Sequence, residues 1–361
     1  MIEKNLAFES GAVSIAFIVD SGLGDAVITK KIFSALVELA PDCLVDIFCL
    51  SEGRKAFAKA FYSDSKNLNL ILNLRDLYEK YVKNYDLSFH PVGYNFINLY
   101  NVNFQKLSLE APKLLEAIVK INEYNKRFVQ RAAQYPLGII LKYSMSAQIL
   151  NKNLYYFISC GGALPIHDDY VEIKLAPEYK QDFDNLKLGN YITIYSDIAE
   201  NEKDQPKVKT GPMRYLIEYV ARMKKRFPEV EIVQCGGGED VKIESADRHY
   251  LGIDLELTKY ILANSLLLVG CEGGLIHLAT ALGTKCLVLF GPSSRYYYGY
   301  DRNINLVSEI CQPCMYIWGD GGINICMRGN REPPCMLSHT PQNVCEVTCN
   351  YLNRLDLENK A

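Results

Sequence analysis

A chain of 361 residues is too long for one ordinary core and fits two domains of normal size. Hydrophobic residues at 49% and charged residues at 22% suit well-packed globular domains, and a net charge of -3 with no concentrated basic run excludes a nucleic-acid arm. No transmembrane helix is expected, because Glu272 interrupts the apolar stretch around Leu266–Gly274, well short of the ~20 apolar residues a bilayer requires.

At the N-terminus, Glu3 and Glu9 precede the first apolar run and Asp20 closes it, where a signal peptide would carry basic residues. The expectation is a cytoplasmic protein, at most peripheral on the inner face of the cytoplasmic membrane. Its 12 cysteines would then be reduced thiols, not a disulfide framework. Cys43, Cys49, Cys160, Cys235 and Cys286 sit in apolar runs and read as small core residues.

Val13–Val19 is an apolar, β-rich run that predicts a buried parallel strand. It leads through Asp20-Ser21-Gly22-Leu23-Gly24-Asp25 into a helix to about Leu39, which Pro41 stops, and Cys43–Leu50 is the next strand. This strand–glycine turn–helix–strand unit is the seed of a doubly wound sheet. Residues 68–74 and 85–99 read as further strands, and 103–150 as mostly helical, rich in Lys and Tyr.

After the polar stretch Glu172–Leu188 the alternation restarts with a strand at Tyr191–Tyr195. A helix follows Gly211-Pro212, with proline in a favoured first-turn position, an apolar stripe of Leu216, Ile217 and Val220, and Lys224-Lys225-Arg226 at its C-terminal end. Val230–Gln234 is a strand ending in Cys235-Gly236-Gly237-Gly238; a helix through Lys259–Asn264 leads to a strand at Leu266–Val269. A short helix, Leu275–Leu282, ends at Gly283, and Cys286–Phe290 is another strand. The halves share one grammar, that of two Rossmann-like domains. The predicted division is 1–186 for an acceptor-side domain and 187–345 for a nucleotide-sugar-binding domain with a cysteine-rich insert at 311–335, followed by a C-terminal helix at 346–361.

The glycine turns Ser21–Asp25 and Cys271-Glu272-Gly273-Gly274 lie at strand ends, where open α/β sheets bind ligands, and both feed helix N-termini whose free N–H groups suit anions. Each is also explained by a turn that needs glycine dihedrals. The first lacks the third glycine of a dinucleotide fingerprint, and no phosphate loop with a Gly-Lys-Ser/Thr ending occurs. Asp25, at the start of a helix, is either a partner of the helix dipole or a general base at the mouth of the sheet.

Gly270-Cys271-Glu272-Gly273-Gly274-Leu275-Ile276-His277-Leu278-Ala279-Thr280-Ala281-Leu282-Gly283, followed by Leu289-Phe290-Gly291-Pro292-Ser293, resembles the signature of the ADP-heptose:lipopolysaccharide heptosyltransferase family. Gly22-Leu23-Gly24-Asp25 resembles that family's N-terminal turn. The likeness covers most of residues 13–345, with 52–150 similar only in general character. It implies two Rossmann-like doubly wound domains facing each other across a cleft (the GT-B fold) and an inverting glycosyltransferase without a catalytic metal. It further implies a nucleotide-diphosphate sugar donor, ADP-heptose in the family, and a glycan, lipid-linked glycan or protein acceptor.

By the same resemblance, Asp25 would be the catalytic base. Lys209, in Lys209-Thr210-Gly211-Pro212, would be the cation for the leaving diphosphate, with Gly211 where the family has tryptophan and Lys203 and Lys207 as nearby rivals. The donor site would also include Glu272, Gly273, Gly274, His277, Gly236, Gly237 and Glu256. Glu272 stands where the family has Asp, and Gly273 where it has Thr, so a hydroxyl that could contact phosphate is missing. His277 either orients the loop, approaches the phosphates or is a satisfied structural residue; Glu256 either holds a ribose hydroxyl or is a surface carboxylate.

Cys311, Cys314, Cys326 and Cys335 make C-x2-C-x11-C-x8-C, a spacing that can close a tetrahedral zinc or iron site, with free thiols or a disulfide formed in air as the alternative. Gly319–Gly322 leaves that region little apolar material for a core, which favours a structural metal. Relatives that modify autotransporter proteins carry an iron-binding cysteine finger in a comparable place. Cys345 and Cys349 lie one helical turn apart and read as core residues. Two other functions stay open: a nucleotide-sugar epimerase of the same architecture, and a non-catalytic sugar-nucleotide-binding or assembly protein.

Overall fold

The structure, a computed structural model, describes residues 6–19, 22–73, 80–92, 96–130, 139–199, 208–317 and 325–358. It divides into two compact units, Met1–Lys174 and Leu175–Ala361.

Unit 1 contains β1 (Ser14–Val19), α1 (Leu23–Leu39), β2 (Leu44–Cys49), α2 (Glu52–Tyr62), β3 (Leu68–Asn73), β4 (Leu87–Val92) and β5 (Phe96–Val102). Its helical second half has α3 (Phe104–Glu110), α4 (Pro112–Tyr124), α5 (Ile139–Leu150) and α6 (Leu154–Ile158). The sheet order is β3-β2-β1-β4-β5. Pairing is parallel except for β4–β5, so the expected strand over 85–99 is instead the first arm and part of the second arm of an antiparallel pair. The edge strand β5, in which only Ile97 is buried, does not need the uniformly apolar sequence of β1, which is buried along its whole length.

Unit 2 contains α7 (Lys180–Asn185), β6 (Tyr191–Ile194), α8 (Met213–Arg226), β7 (Glu231–Gly236), β8 (Arg248–Leu251), α9 (Leu255–Ala263), β9 (Leu268–Cys271) and α10 (Gly274–Ala281). It continues with β10 (Cys286–Phe290), α11 (Arg295–Tyr298), β11 (Ile304–Val307), α12 (Pro334–Leu337) and α13 (Pro341–Glu358). All six strands are parallel, in the order β11-β10-β9-β6-β7-β8. Numbered within the unit this is 3-2-1-4-5-6, the arrangement of dinucleotide-binding domains. Helix α8 begins after Pro212, which sits at the cap itself, and ends on Lys224, Lys225 and Arg226. Helix α10 stops where Gly283 takes φ +89, a left-handed conformation that favours glycine.

Two boundaries differ from expectation. Unit 2 begins near residue 175, not at 187, because the polar stretch before β6 folds onto it. Tyr260 of α9 donates a hydrogen bond to the Ala176 carbonyl (3.0 Å), and Phe183 of α7 stacks on the Tyr260 ring (centroids 5.8 Å apart). The C-terminal helix starts at Pro341, not at 346, and belongs to the core of unit 2. Val344, Cys345, Cys349 and Leu352 join one buried cluster with Tyr219, Val220 and Met223 of α8, and the Tyr219 and Thr348 hydroxyls lie 3.1 Å apart. Among the described residues no helix is long and apolar enough to cross a membrane.

Candidate functional site

In unit 2 the strand order reverses direction between β6 and β9, which are neighbours in the sheet. The segments leaving their carboxyl ends therefore diverge, opening the crevice in which such sheets hold ligands. Tyr195, Ser196 and Asp197 follow β6, and Glu272 and Gly273 follow β9 into α10.

Lys209, from the segment before α8, reaches this crevice. Its Nζ donates to the Glu272 carbonyl (3.0 Å) and lies 3.3 Å from Asp197 Oδ2 and 4.0 Å from Glu272 Oε2. His277 Nε2 lies 3.7 Å from Glu272 Oε1, while its Nδ1 is 2.7 Å from the Tyr300 hydroxyl. Lys209, Glu272, Gly273, Gly274 and His277 are thus brought together as one group.

The electrostatics are those of a buried charged cluster. Burial pushes the Glu272 carboxyl up, but Lys209 and His277 outweigh it and hold the group below its ordinary value of 4.5. Burial also opposes the Lys209 charge, yet Glu272 and Asp197 together hold the ammonium well above its usual range. Glu272 Oε2 has no hydrogen-bond partner among the described residues. The first N–H groups of α10 have no acceptor within the helix, so the turn offers positive potential beside the lysine. One ammonium between two carboxylates leaves these side chains without net positive charge, so an anion at the turn would draw on the free amides at the start of α10 as well as on Lys209.

The other predicted donor residues have local partners of their own. Glu256, in the first turn of α9, pairs with Lys259 at 2.8 Å, and that lysine is 1% exposed. Gly236 and Gly237 end β7 against Asp240: the Gly237 N–H donates to Asp240 Oδ2 (3.0 Å), and a Cβ on Gly236 would collide with that carboxylate. A turn closing on its own aspartate accounts for Gly236, whereas a Cβ on Gly237 would meet Asp240 Oδ1 only at an ordinary 3.5 Å. Lys203 and Lys207 lie outside the described residues, as do Asp20 and Ser21.

Asp25 belongs to unit 1, whose sheet reverses order between β1 and β4. It is the third residue of α1, and its Oδ2 accepts the Gly22 N–H (3.1 Å). The carboxylate therefore caps its own helix at the carboxyl end of the central strand, a position compatible with both of its predicted roles.

Cys335 is buried, whereas Cys311, Cys314 and Cys326 are half-buried. Burial, and then Cys311, Cys314 and Cys326, push the Cys335 thiol up to about 11; burial, Cys326 and Cys311 likewise raise Cys314. The four thiols thus share one locale, but among the described residues no three His, Cys, Asp or Glu side chains are arranged to hold a metal ion. Thiols that feel one another's charge need not converge on the shorter spacing a metal ligand requires. Gly319–Gly322, the glycine-rich stretch of this segment, lies outside the described residues.

Asp197, Tyr195 and Tyr300 were not predicted. Asp197 carries a weak signal, a carboxylate just past a parallel strand, and it takes φ +53, uncommon for a residue with a side chain. Tyr300 comes 23 residues after His277 and has no local pattern to mark it.

Solved structures settle the architecture. E. coli ADP-heptose lipopolysaccharide heptosyltransferase II aligns over 96% of this chain and 100% of its own, at 16% identity and a TM-score of 0.58. The fold is that of the heptosyltransferases. A family 9 glycosyl transferase from Veillonella parvula aligns over 94% of this chain and 97% of its own (15% identity, TM-score 0.56). TibC, an iron-containing dodecameric glycosyltransferase from enterotoxigenic E. coli, aligns over 95% and 79% (13% identity, TM-score 0.58). No protein-family model and no curated protein matches the sequence. At these identities the likeness establishes the fold, two Rossmann-like α/β units of the GT-B type, and activity must be argued from the site.

Proposed function

We propose that this protein is an inverting, metal-independent glycosyltransferase that moves a sugar from a nucleoside diphosphate donor to a cell-envelope glycan or protein. The observation that carries the reading is the convergence of Lys209, Glu272, Gly273 and the α10 N-terminus at the point where the unit 2 sheet reverses order. A heptosyltransferase co-crystallised with ADP-D-β-D-heptose shares the fold (12% identity, TM-score 0.56), which makes ADP-heptose the first donor to try.

In the proposed reaction Asp25 takes the proton of an acceptor hydroxyl as its oxygen attacks the anomeric carbon. The bond to the diphosphate breaks on the opposite face, inverting that carbon, and the nucleoside diphosphate leaves with the electron pair. Charge growing on the departing phosphate meets Lys209 and the α10 amides, already oriented and partly desolvated. His277 and Asp197 act through their neighbours, one holding Glu272 and the other Lys209. A nucleotide-sugar donor implies a cytoplasmic enzyme, with any membrane contact peripheral.

The four cysteines are proposed as a structural zinc or iron site on their donor chemistry alone. No step of the reaction passes through a metal. Elemental analysis of purified protein should find roughly one zinc or iron per chain, lost in Cys311→Ser/Cys314→Ser; metal-free protein of unchanged stability would refute it.

The central test is thermal stabilisation by ADP, GDP, UDP, CDP and ADP-heptose. A selective shift with ADP and ADP-heptose, diminished in Lys209→Ala, is expected. A shift with UDP or GDP instead would overturn the heptose assignment, and no shift from folded protein would put a non-catalytic role first. Asp25→Asn retains an acceptor for the Gly22 N–H and should lower turnover about 10²–10⁴-fold; undiminished turnover would rule out Asp25 as the base.

A further inference from the structure

Glycines stand at 270 in β9, at 273 in the turn and at 274 where α10 begins, and φ at Gly273 is 171°, extended backbone that any residue adopts. Conformation does not demand glycine at 273; space does. A Cβ there would lie 2.9 Å from the Tyr195 hydroxyl and 3.6 Å from Lys209 Nζ, and a Cβ on Gly270 would run into the Tyr195 ring. Tyr195 is 3% exposed and its ring lies against Gly270 on one side, with a small cavity among its other neighbours.

The same hydroxyl donates a hydrogen bond to the Cys271 carbonyl. Lys209 donates to the next carbonyl along, that of Glu272. Two side chains from outside the turn thus hold two successive carbonyls, and the amides that follow are aimed by them. A hydroxyl-bearing residue at 273 would put its oxygen about one bond length from its Cβ, within the region the Tyr195 hydroxyl now takes up.

We propose that Tyr195 is a positioning residue of the diphosphate site and is matched to Gly273, supplying from just beyond β6 the hydroxyl that the turn itself lacks. What the turn binds rests on the donor-site reading above; the pairing of the two residues rests on geometry alone.

Four proteins test it: the unmodified chain, Tyr195→Phe, Gly273→Ser and the double variant, each followed by thermal unfolding and by calorimetric titration with ADP. Gly273→Ser should lower the melting temperature markedly in the unmodified chain and much less in the Tyr195→Phe background, where the ring alone leaves ordinary contact with the new Cβ at 3.7 Å. Tyr195→Phe should weaken ADP about tenfold, the order expected for one lost hydrogen bond in a buried site, and the double variant should recover most of that loss. Additive melting shifts would overturn the pairing. Tyr195→Phe binding ADP like the unmodified chain, or a double variant no better than Tyr195→Phe, would overturn the positioning role. If the unmodified chain bound none of ADP, GDP, UDP or CDP, the donor-site reading would fail, and the melting cycle would still decide the pairing.

Discussion

Each unit buries a carboxylate beside its sheet, Asp46 on β2 and Glu272 after β9, and the two are satisfied in different ways. Asp46 is wholly buried; its Oδ2 accepts from the Ala7 N–H and the Tyr85 hydroxyl (both 2.7 Å), and its Oδ1 from Asn69 Nδ2 (2.7 Å) and the Leu70 N–H (3.1 Å). Glu272 is 5% exposed, yet its charge pairs are looser, 3.7 Å to His277 and 4.0 Å to Lys209, with Ser293 as a further polar neighbour. Short bonds from neutral donors fasten a loop to a strand. Longer pairs with one oxygen lacking a hydrogen-bond partner leave polar capacity that a ligand or water can use. Burial alone therefore does not separate a structural carboxylate from a functional one; the completeness of its hydrogen bonding does.

The strongest way to break this contrast is Asp46→Ala. It strands four donors in unit 1 and should cost about 3–4 kcal/mol, lowering that unit's melting temperature by roughly 10 °C. ADP affinity of the folded protein should not change. A loss of affinity at full stability would mean that Asp46 is not purely structural.

Lys209→Ala comes next, with an expected loss of about 2 kcal/mol near neutral pH, because Glu272 is left buried without its main cation. The pH dependence distinguishes this from lost packing. In the unmodified protein the Glu272 value is depressed below 4.5, so its contribution is present above that pH and is lost as pH falls through the folded value. Without Lys209, burial should raise the folded value above the unfolded one, and the penalty should grow as pH rises through it. Denaturant titrations should thus show a wide gap between the two proteins at pH 7.5 that narrows at pH 4.5; an equal gap at both would refute the electrostatic account.

The smallest effect should come from Tyr300→Phe, which removes the 2.7 Å partner of His277. About 1 kcal/mol is expected, with weaker ADP binding because His277 no longer steadies Glu272. Unchanged binding would confine that bond to packing.

Much of the scaffold was legible in the chain. The all-buried run of β1, the glycine turn before α1, the cationic end of α8 and the glycine that stops α10 are local signals with local causes: apolar continuity, dihedral freedom and the helix dipole. The turn at 271–274 was legible for the same reason. The antiparallel β5 was not, since strand direction depends on which edge the chain returns to. Nor was the start of unit 2, which depends on Phe183 and Ala176 meeting Tyr260 across some 80 residues.

For the site, residue types and spacing by themselves determined that carboxylates and a histidine stand near glycine turns at strand ends, and the family resemblance added Lys209. Only the tertiary structure decided which of them meet. It drew Lys209, Glu272 and His277 together with the unpredicted Asp197 and Tyr300, and paired Glu256 with Lys259. The reason is physical: propensity and periodicity act over a few residues, whereas a charge is satisfied by whatever lies within a few ångströms, and the sheet order together with the segments that return over it determines what that is.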